Sequence, residues 1–533
     1  MTGQEDAIAS KHDSKQTSLN ETTVDIAMDK KLSHNNDTDL CTDVNVSVGE
    51  VEAVLDESEF TEEEYKALLK KIDRWLLPLM FCCYGIQQTD KTATGIQAIF
   101  GLRTDLNLHG EQYNWLTTIF YITYLVGEFP SNFLLQRWPI GRCLTGYMMC
   151  WAICLICMSA VKNWSQLMAL RALQGFFECT ISPGFLLVIG SWYRTEEQAP
   201  RALFFQSANA FFLIVCDLIM YGIAGYVTKH GGIQPWRTIS LFLGSLTIVI
   251  SVAAVLILGT PKEVRWLNKR ERRMAQARIV RNKAGRDTTG LKWSWPQVIE
   301  ALKDPQVWFS FCNAFINNIP NGGLTSFGSI LYASFGFSNM DVLLVGLPRS
   351  VISLGLFILV GQYISRVPNR RMYIMMIGCV LPFIGLLAMS LLPNEPSMKW
   401  VKWGMYILTM PFVFPIFLAW SLIPSNVAGR TKKTVVSSLT FLAYCIGNIG
   451  GSFVFKTKDA PRYVSGTIAC SICFALEFSI ILAWRCWYMY ENKRRDKAAA
   501  ASGLTKEQQE AEGRLLGEQD VTDRMNPHFR YTM

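Results

Sequence analysis

The residues able to do chemistry in this chain are ionisable side chains set inside stretches otherwise suited to lipid. Asp90 and Lys91 stand together midway through an apolar run, just after Gln87 and Gln88. Arg171, Gly175 and Glu178 follow at i, i+4 and i+7, which puts them on one helix face. Arg349 stands in a later apolar run, and Asn317-Asn318-Ile-Pro-Asn321-Gly-Gly supplies amide donors in another. Glu128, Asp217 and Glu477 are further single charges. A charge in hydrocarbon is costly and usually faces a cavity or a partner, so each marks a candidate site of solute or ion handling. Desolvation favours the neutral form of a carboxyl group, which makes Asp90 and Glu178 candidates to carry a proton, Glu178 first. Lys91 and Arg349 are candidates to hold an anion through charge-assisted hydrogen bonds, with Asn317, Asn318 and Asn321 fixing its polar end. Plainer readings stand beside these. Lys91 can simply neutralise Asp90, Arg171 and Glu178 can form a structural pair, Arg349 can meet an acidic neighbour, and Glu477 can face outward near an interface.

The elements that must position these groups are membrane spans. Twelve apolar segments of about one bilayer thickness lie near 75–99, 113–135, 143–161, 166–190, 203–228, 237–258, 307–334, 342–364, 372–392, 401–424, 434–455 and 466–488. The second and eighth are followed by the same basic turn, Arg137-Trp-Pro-Ile-Gly141-Arg142 and Arg366-Val-Pro-Asn-Arg-Arg371, both reading R-x-P-x-x-R. That recurrence at equivalent places implies two matching six-helix halves, the construction by which secondary transporters expose one site to each side in turn. The pattern predicts an all-α membrane protein of twelve helices in two pseudo-symmetric bundles. The expected divisions are a polar N-tail over 1–60, bundles over 61–260 and 307–490, a connector over 261–306 and a C-tail over 491–533. Residues 60–74 read as an amphipathic helix entering the first span. The seventh span, with its Pro and two Gly, reads as interrupted, a pointer to a transport site.

Composition agrees. Of 533 residues 50% are hydrophobic and only 18% charged, below the ~25% of soluble domains. The net charge of +8 reflects basic residues gathered in alternate loops, so it is a topology signal and not a nucleic-acid footprint. It predicts both termini and the basic Lys262–Lys303 connector in the cytoplasm, where a basic helix can touch anionic lipid, while a solvated connector that anchors topology is the simpler reading. The 15 Cys sit mostly inside spans and argue against a disulfide framework. The acidic stretch from Asp37 to Glu64 reads as a solvated tail. No nucleophile–base set, phosphate loop or metal cluster is present in the sequence, so neither an enzyme nor a cofactor is expected.

Several motifs together resemble a known family. Asp90-Lys91-Thr92, Gln112-Tyr-Asn-Trp115, Leu134-Leu-Gln-Arg137-Trp-Pro-Ile-Gly141-Arg142 and Arg171-x-x-Gln-Gly175-x-x-Glu178 are similar to the major facilitator superfamily, and more narrowly to the fungal allantoate permease family of anion:cation symporters. Asn317-Asn-Ile-Pro-Asn-Gly-Gly, Ser425-Asn-Val-Ala-Gly429 and Tyr444-Cys-Ile-Gly-Asn-Ile449 extend the resemblance to the second half. It implies alternating access and import of a small organic anion with protons, in classes such as allantoate, ureidosuccinate, dipeptides, nicotinate or a related vitamin. It also implies structural or gating roles for Arg137, Gly141, Arg142, Arg171, Gly175, Arg366 and Arg371. Leu347-Pro-Arg349-Ser350 and Asp217 depart from the family pattern and bear on the substrate set. The expected partners are a small organic anion, protons and membrane lipid, with no nucleic acid, for a monomer in the plasma membrane. Export of a drug or metabolite by the same fold, and a nutrient sensor that does not transport, are the competing readings.

Overall fold

In the computed structural model of the chain, residues 60–280 and 293–533 are described, apart from Asn394 and short stretches between 502 and 519. The acidic N-tail and the basic residues Arg281 and Lys283 lie outside the described residues.

Among the described residues the chain is all-helical, with twelve spanning helices. Six come first: α1 (Glu62–Gln97), α2 (Gln112–Arg137), α3 (Ile140–Met158), α4 (Trp164–Trp192), α5 (Thr195–His230) and α6 (Pro235–Ile257). Two short helices follow, α7 (Lys269–Val280) and α8 (Trp295–Lys303). The last six spans are α9 (Pro305–Ser334), α10 (Asn339–Arg366), α11 (Arg371–Leu391), α12 (Pro396–Asn426), α13 (Arg430–Ser452) and α14 (Val464–Ala501). Among the described residues, nine of these stretches are apolar enough to cross a membrane by length and composition alone. The other three, α1, α2 and α9, are 36, 26 and 30 residues long, sufficient to span, but carry the polar residues singled out above.

The lead-in and the first span form one helix. Thr61 caps it by accepting from the Glu64 backbone N–H, while the Glu64 carboxylate accepts from the Thr61 N–H. The expected interruption of the seventh span is not there: α9 is continuous from Pro305 to Ser334 with Pro320 inside it. Gly322 and Gly323 serve close packing instead, because side chains there would strike the Asn448 backbone and the Phe455 ring of the α13 region. Breaks occur in other spans: α4 is interrupted at Cys179–Thr180, α10 at Gly346, and in α12 the helix over Lys399–Ile407 gives way to a 3-10 turn at Met410–Val413 before resuming at Phe414. Pro411 and Pro415, which lack backbone N–H groups, sit at the last of these.

Basic residues of the connector are held by protein carboxylates. Lys71 of α1 pairs with Glu271 of α7 at 2.8 Å, Arg270 with Glu64 at 2.7 Å, and the buried Arg278 with Glu197. These pairs tie the helix to α1 and α5.

The basic end of the last six helices is closed by the segment 520–533. Lys432, fully buried at the start of α13, is met by Glu300 of α8 at 3.0 Å, Asp304 at 2.6 Å and Asp523 at 2.8 Å. Asp523 also accepts from the Tyr531 hydroxyl and from Gln306, both at 2.8 Å. Burial pushes its carboxyl upward in pKa, and Lys432 opposes that shift. Tyr531 stacks on Tyr488 with ring centroids 4.7 Å apart, and Thr532 and Asn426 exchange backbone–amide hydrogen bonds of 2.8 Å. The segment therefore ties together the ends of α8, α9, α12, α13 and α14. Breaking a buried charge pair typically costs about 3–5 kcal/mol. Lys432→Met strands three carboxylates and should lower the melting midpoint of the purified protein. Asp523→Asn should lower it less, since Lys432 keeps two partners. Equal melting of Lys432→Met and the parent would refute the assignment.

Candidate functional site

Successive helical residues point about 100° apart, and this rotation separates Asp90 from Lys91. Lys91 turns toward α4, where its ammonium lies 3.0 Å from the fully buried Glu178 carboxylate. It faces the rings of Tyr124 and Phe120 of α2 at 5.3 and 5.9 Å, close enough for cation–π attraction. Asp90 turns instead into the packing of α1 with α3 and α4. Its carboxylate accepts from the Trp151 indole at 3.0 Å and from Gln174 at 3.4 Å, and Gln174 in turn accepts from Arg171 at 3.2 Å. All four side chains are buried. Two networks result where the sequence shows one charged dipeptide. Lys91 pairs with Glu178 and not with Asp90, and Arg171 serves Gln174 and not Glu178. Gly175 lies between them because any side chain there would strike the Phe120 backbone and Thr123, so α2 and α4 touch at this level.

The open side of the Lys91–Glu178 pair is walled by aromatic rings from both halves of the chain. Tyr121 meets Tyr444 of α13 at 6.0 Å between centroids, Tyr124 stacks on Phe441 at 5.8 Å, and Tyr444 meets Trp420 of α12 at 5.9 Å. The sequence reading missed this wall. Its signal was Phe120, Tyr121 and Tyr124 of span two, which share one side of a helix.

The other candidates take separate places. Arg349 of α10 lies over the rings of Tyr406 and Phe412, at 4.8 and 6.0 Å, and has no ion pair among the described residues. The buried hydroxyls of Tyr332 and Tyr406 and the Arg349 Nε have no hydrogen-bond partner there, nor does one carboxylate oxygen of Asp217. The charges of Arg349 and Asp217 both act on Tyr332. Asn317 donates to the Phe412 carbonyl at 2.9 Å and to Glu477 at 3.2 Å. Glu477 is fully buried between helices, so the expectation that it faces outward is overturned: it lies on the α14 face that packs against α9. Asn318 accepts from Asn448 at 3.0 Å, and Asn321 donates to Asn448 at 2.9 Å, which makes Asn448 a further member of the α9 amide cluster.

The basic turns are structural junctions. Gly141 is needed because a side chain would strike the Leu258–Gly259 backbone. Arg371 donates to the Ser421 carbonyl at 3.2 Å and to the Ser425 hydroxyl at 3.1 Å. Arg137 lies over Phe133, while Arg142 and Arg366 are exposed.

Hydrogen bonds between the first and last six helices gather at the end opposite these turns. The Tyr113 hydroxyl donates to the Ser326 carbonyl at 2.8 Å, Thr117 meets Ser326 at 2.9 Å, Thr118 meets Ser452 at 2.6 Å, and Asn114 donates to the Phe455 carbonyl at 3.1 Å. Thr457 and Asn339 add bonds to the carbonyls of Gly110 and Ile99. A polar site walled by both halves and sealed at one end is the form of a solute carrier.

The family model described as Major Facilitator Superfamily matches residues 80–452. The chain belongs to the major facilitator superfamily. It is 34% identical to the allantoate permease of Saccharomyces cerevisiae across 90% of this chain and 88% of that protein. It is 31% identical to an uncharacterized transporter of Schizosaccharomyces pombe across 89% of each. The thiamine pathway transporter THI73 of Saccharomyces cerevisiae is 28% identical across 87% of this chain and 86% of that one. Among solved structures it resembles a bacterial homolog of the human lysosomal transporter Spinster, with TM-score 0.58, 14% identity, and 77% of this chain and 96% of that chain covered. The xylose transporter XylE of E. coli gives TM-score 0.57, 12% identity, and 76% and 96% coverage. This major facilitator protein is thus a multi-pass membrane transporter of a small molecule, and not an enzyme.

The seal offers a direct check on the geometry. Replacing Thr118 and Ser452 by cysteines puts two thiols where hydroxyls now touch, within reach of a disulfide. Oxidation should cross-link the pair and stop transport, and a reductant should restore it. Failure to cross-link in a folded double variant, while each single variant transports, would contradict the seal.

Proposed function

We propose that this transporter imports a small organic anion together with protons, by alternating access, as a monomer in the plasma membrane with both termini in the cytoplasm. The observation that carries the reading is the Lys91–Glu178 pair, 3.0 Å apart in a buried site that both halves of the chain wall in. An anion arriving at Lys91 competes with Glu178 for the ammonium. A carboxylate deprived of its cation in apolar surroundings is costly as an anion and takes up a proton. Binding of anion and of proton then favour one another, and that mutual dependence is what symport requires. With the basic turns in the cytoplasm, the sealed end is the outer one and the site opens inward.

Arg349 supplies a second cation whose Nε, like the nearby hydroxyls of Tyr332 and Tyr406, has no hydrogen-bond partner among the described residues. These groups suit the far polar end of the solute, and Asp217 beside them suits a hydrogen-bond donor on it. Allantoate, carried by the relative of that name, is one solute with a carboxylate and several amide donors.

The decisive measurement is uptake of labelled carboxylates in cells expressing the chain, with and without a proton uncoupler. Glu178→Gln should abolish concentrative uptake yet leave exchange of solute across the membrane measurable. Accumulation equal to the parent, and equally sensitive to the uncoupler, would remove Glu178 from the coupling.

A charge-assisted hydrogen bond contributes about 1.5–3 kcal/mol, so losing one weakens binding roughly 10- to 100-fold. Arg349→Gln should therefore raise the apparent dissociation constant for a carboxylate by about that factor and leave that of its uncharged amide analogue little changed. The same loss for both solutes would show that Arg349 acts on structure, and unaltered affinity for the carboxylate would exclude it from the site.

A further inference from the structure

On the outer wall of the first six helices, a groove of about 590 Å³ opens between the end of α2, α3 and α4. Its sides are apolar, formed by Leu134, Trp138, Tyr147 and Phe177, and Arg142 stands at its mouth. The floor is open at Gly146, where a side chain would meet nothing within 4 Å. From Arg142 to Cys150 the groove follows nine residues of α3, about 12 Å of helix rise. It therefore begins at the turn where two spans end, at headgroup depth, and runs into the hydrocarbon layer.

The mouth carries unspent positive charge. Arg142 is exposed and has no ion pair among the described residues. The exposed Arg137 lies one turn away over the Phe133 ring, at 4.1 Å. The nearby acid, Glu263, is already committed: it accepts the N–H groups of Ile140 and Gly141 at 3.2 and 3.0 Å and the Thr260 hydroxyl at 3.0 Å. Trp138, 63% exposed beside them, is the residue type that favours the level between headgroups and acyl chains. Around the groove Phe133 and Ile153 are exposed as well, as expected of a lipid-facing wall.

We propose that this groove is a binding site for one anionic phospholipid, with an acyl chain laid along α3 and the phosphate held by Arg142 and Arg137. Charge decides the occupant. The guanidinium fork matches phosphate geometry, and a zwitterionic lipid brings a cation that the two arginines repel. The apolar length of the groove distinguishes a lipid from a free phosphate, which would gain nothing from it.

The test uses the full chain, purified in an uncharged detergent and stripped of lipid, with binding read by native mass spectrometry. The probes are phosphatidylinositol and phosphatidylcholine with identical acyl chains, and glycerophosphoinositol, which has no chains. Phosphatidylinositol should bind roughly tenfold or more tightly than phosphatidylcholine, the size expected for a charge-assisted contact. Arg142→Gln should erase that difference, and Arg142→Lys should keep part of it. Gly146→Trp, which fills the groove, should remove the bound lipid while leaving the melting midpoint of the lipid-free protein unchanged. Equal binding of the two lipids by the parent would overturn the proposal. So would a preference that survives Arg142→Gln, or glycerophosphoinositol binding as tightly as the whole lipid.

Discussion

An ammonium and a carboxylate 3.0 Å apart, in a part of the protein that water does not bathe, set the terms for what surrounds them. Glu178 has lost its hydration and Lys91 most of its own, and each offsets that loss for the other, with the Tyr124 and Phe120 rings adding to the hold on the ammonium. Neither can leave without a substitute, so the residues beside the pair are of two kinds. Some keep it shut in: Gly175 lets α2 and α4 close to contact, and Phe120 and Tyr124 face the ammonium with their rings. Others form the one side on which a substitute can arrive. That side is made of Tyr121, Tyr124, Phe441 and Tyr444, contributed by helices of both halves. The place where the two halves meet is also the place where the charge is accessible, which is why relative movement of the halves bears on the pair at all.

Much of this fold is legible in the sequence because the bilayer permits few solutions. Twelve apolar stretches become twelve helices, and the recurring basic turn lies where each half passes from its second to its third span. The three spans of lower apolarity, α1, α2 and α9, carry Lys91, the Tyr121–Tyr124 part of the wall and most of the asparagine cluster, whereas Glu178, Tyr444 and Arg349 lie in spans whose overall composition is apolar and does not single them out. Positions within one helix are likewise readable: Arg171, Gly175 and Glu178 do share a face. What spacing along the chain does not encode is which helix that face meets. Asp90 and Lys91 look like a pair because they are neighbours, yet the helical rotation sends one to Trp151 and the other to Glu178. Glu477 looks solitary in the sequence and is buried against Asn317, 160 positions away. Pro320-Asn-Gly-Gly looks like a broken helix, but the glycines accommodate α13, and breaks fall instead in α4, α10 and α12, the last at Pro411.

Polar contacts of different strength occupy the two ends of the molecule. At the basic end the bonds are ionic and lie within one half: Lys432 with three carboxylates among the last six helices, and Arg201 with Asp73 at 2.8 Å between α5 and α1 among the first six. At the opposite end an ion pair of Arg237 with Asp105 at 2.7 Å likewise lies within one half, and the bonds that cross between halves are neutral. They join Tyr113, Asn114, Thr117 and Thr118 to Ser326, Ser452 and the Phe455 carbonyl.

That division has an energetic consequence. A neutral hydrogen bond contributes about 0.5–1.5 kcal/mol net, because its partners bond to water when they part. Hydroxyls and amides released at the membrane surface find water at once, so the seal is a set of contacts that can open without leaving a buried group unpaired. A charge such as that of Lys432, fully buried among Glu300, Asp304 and Asp523, has no such exit. Pulling it from its partners strands charge in a low-dielectric interior at several kcal/mol. Strain applied to the molecule is therefore relieved first between the halves, at the neutral seal, and last within them. Under the proposed coupling, a solute that shifts the Lys91–Glu178 pair acts between the two halves, at the interface held by the weaker bonds.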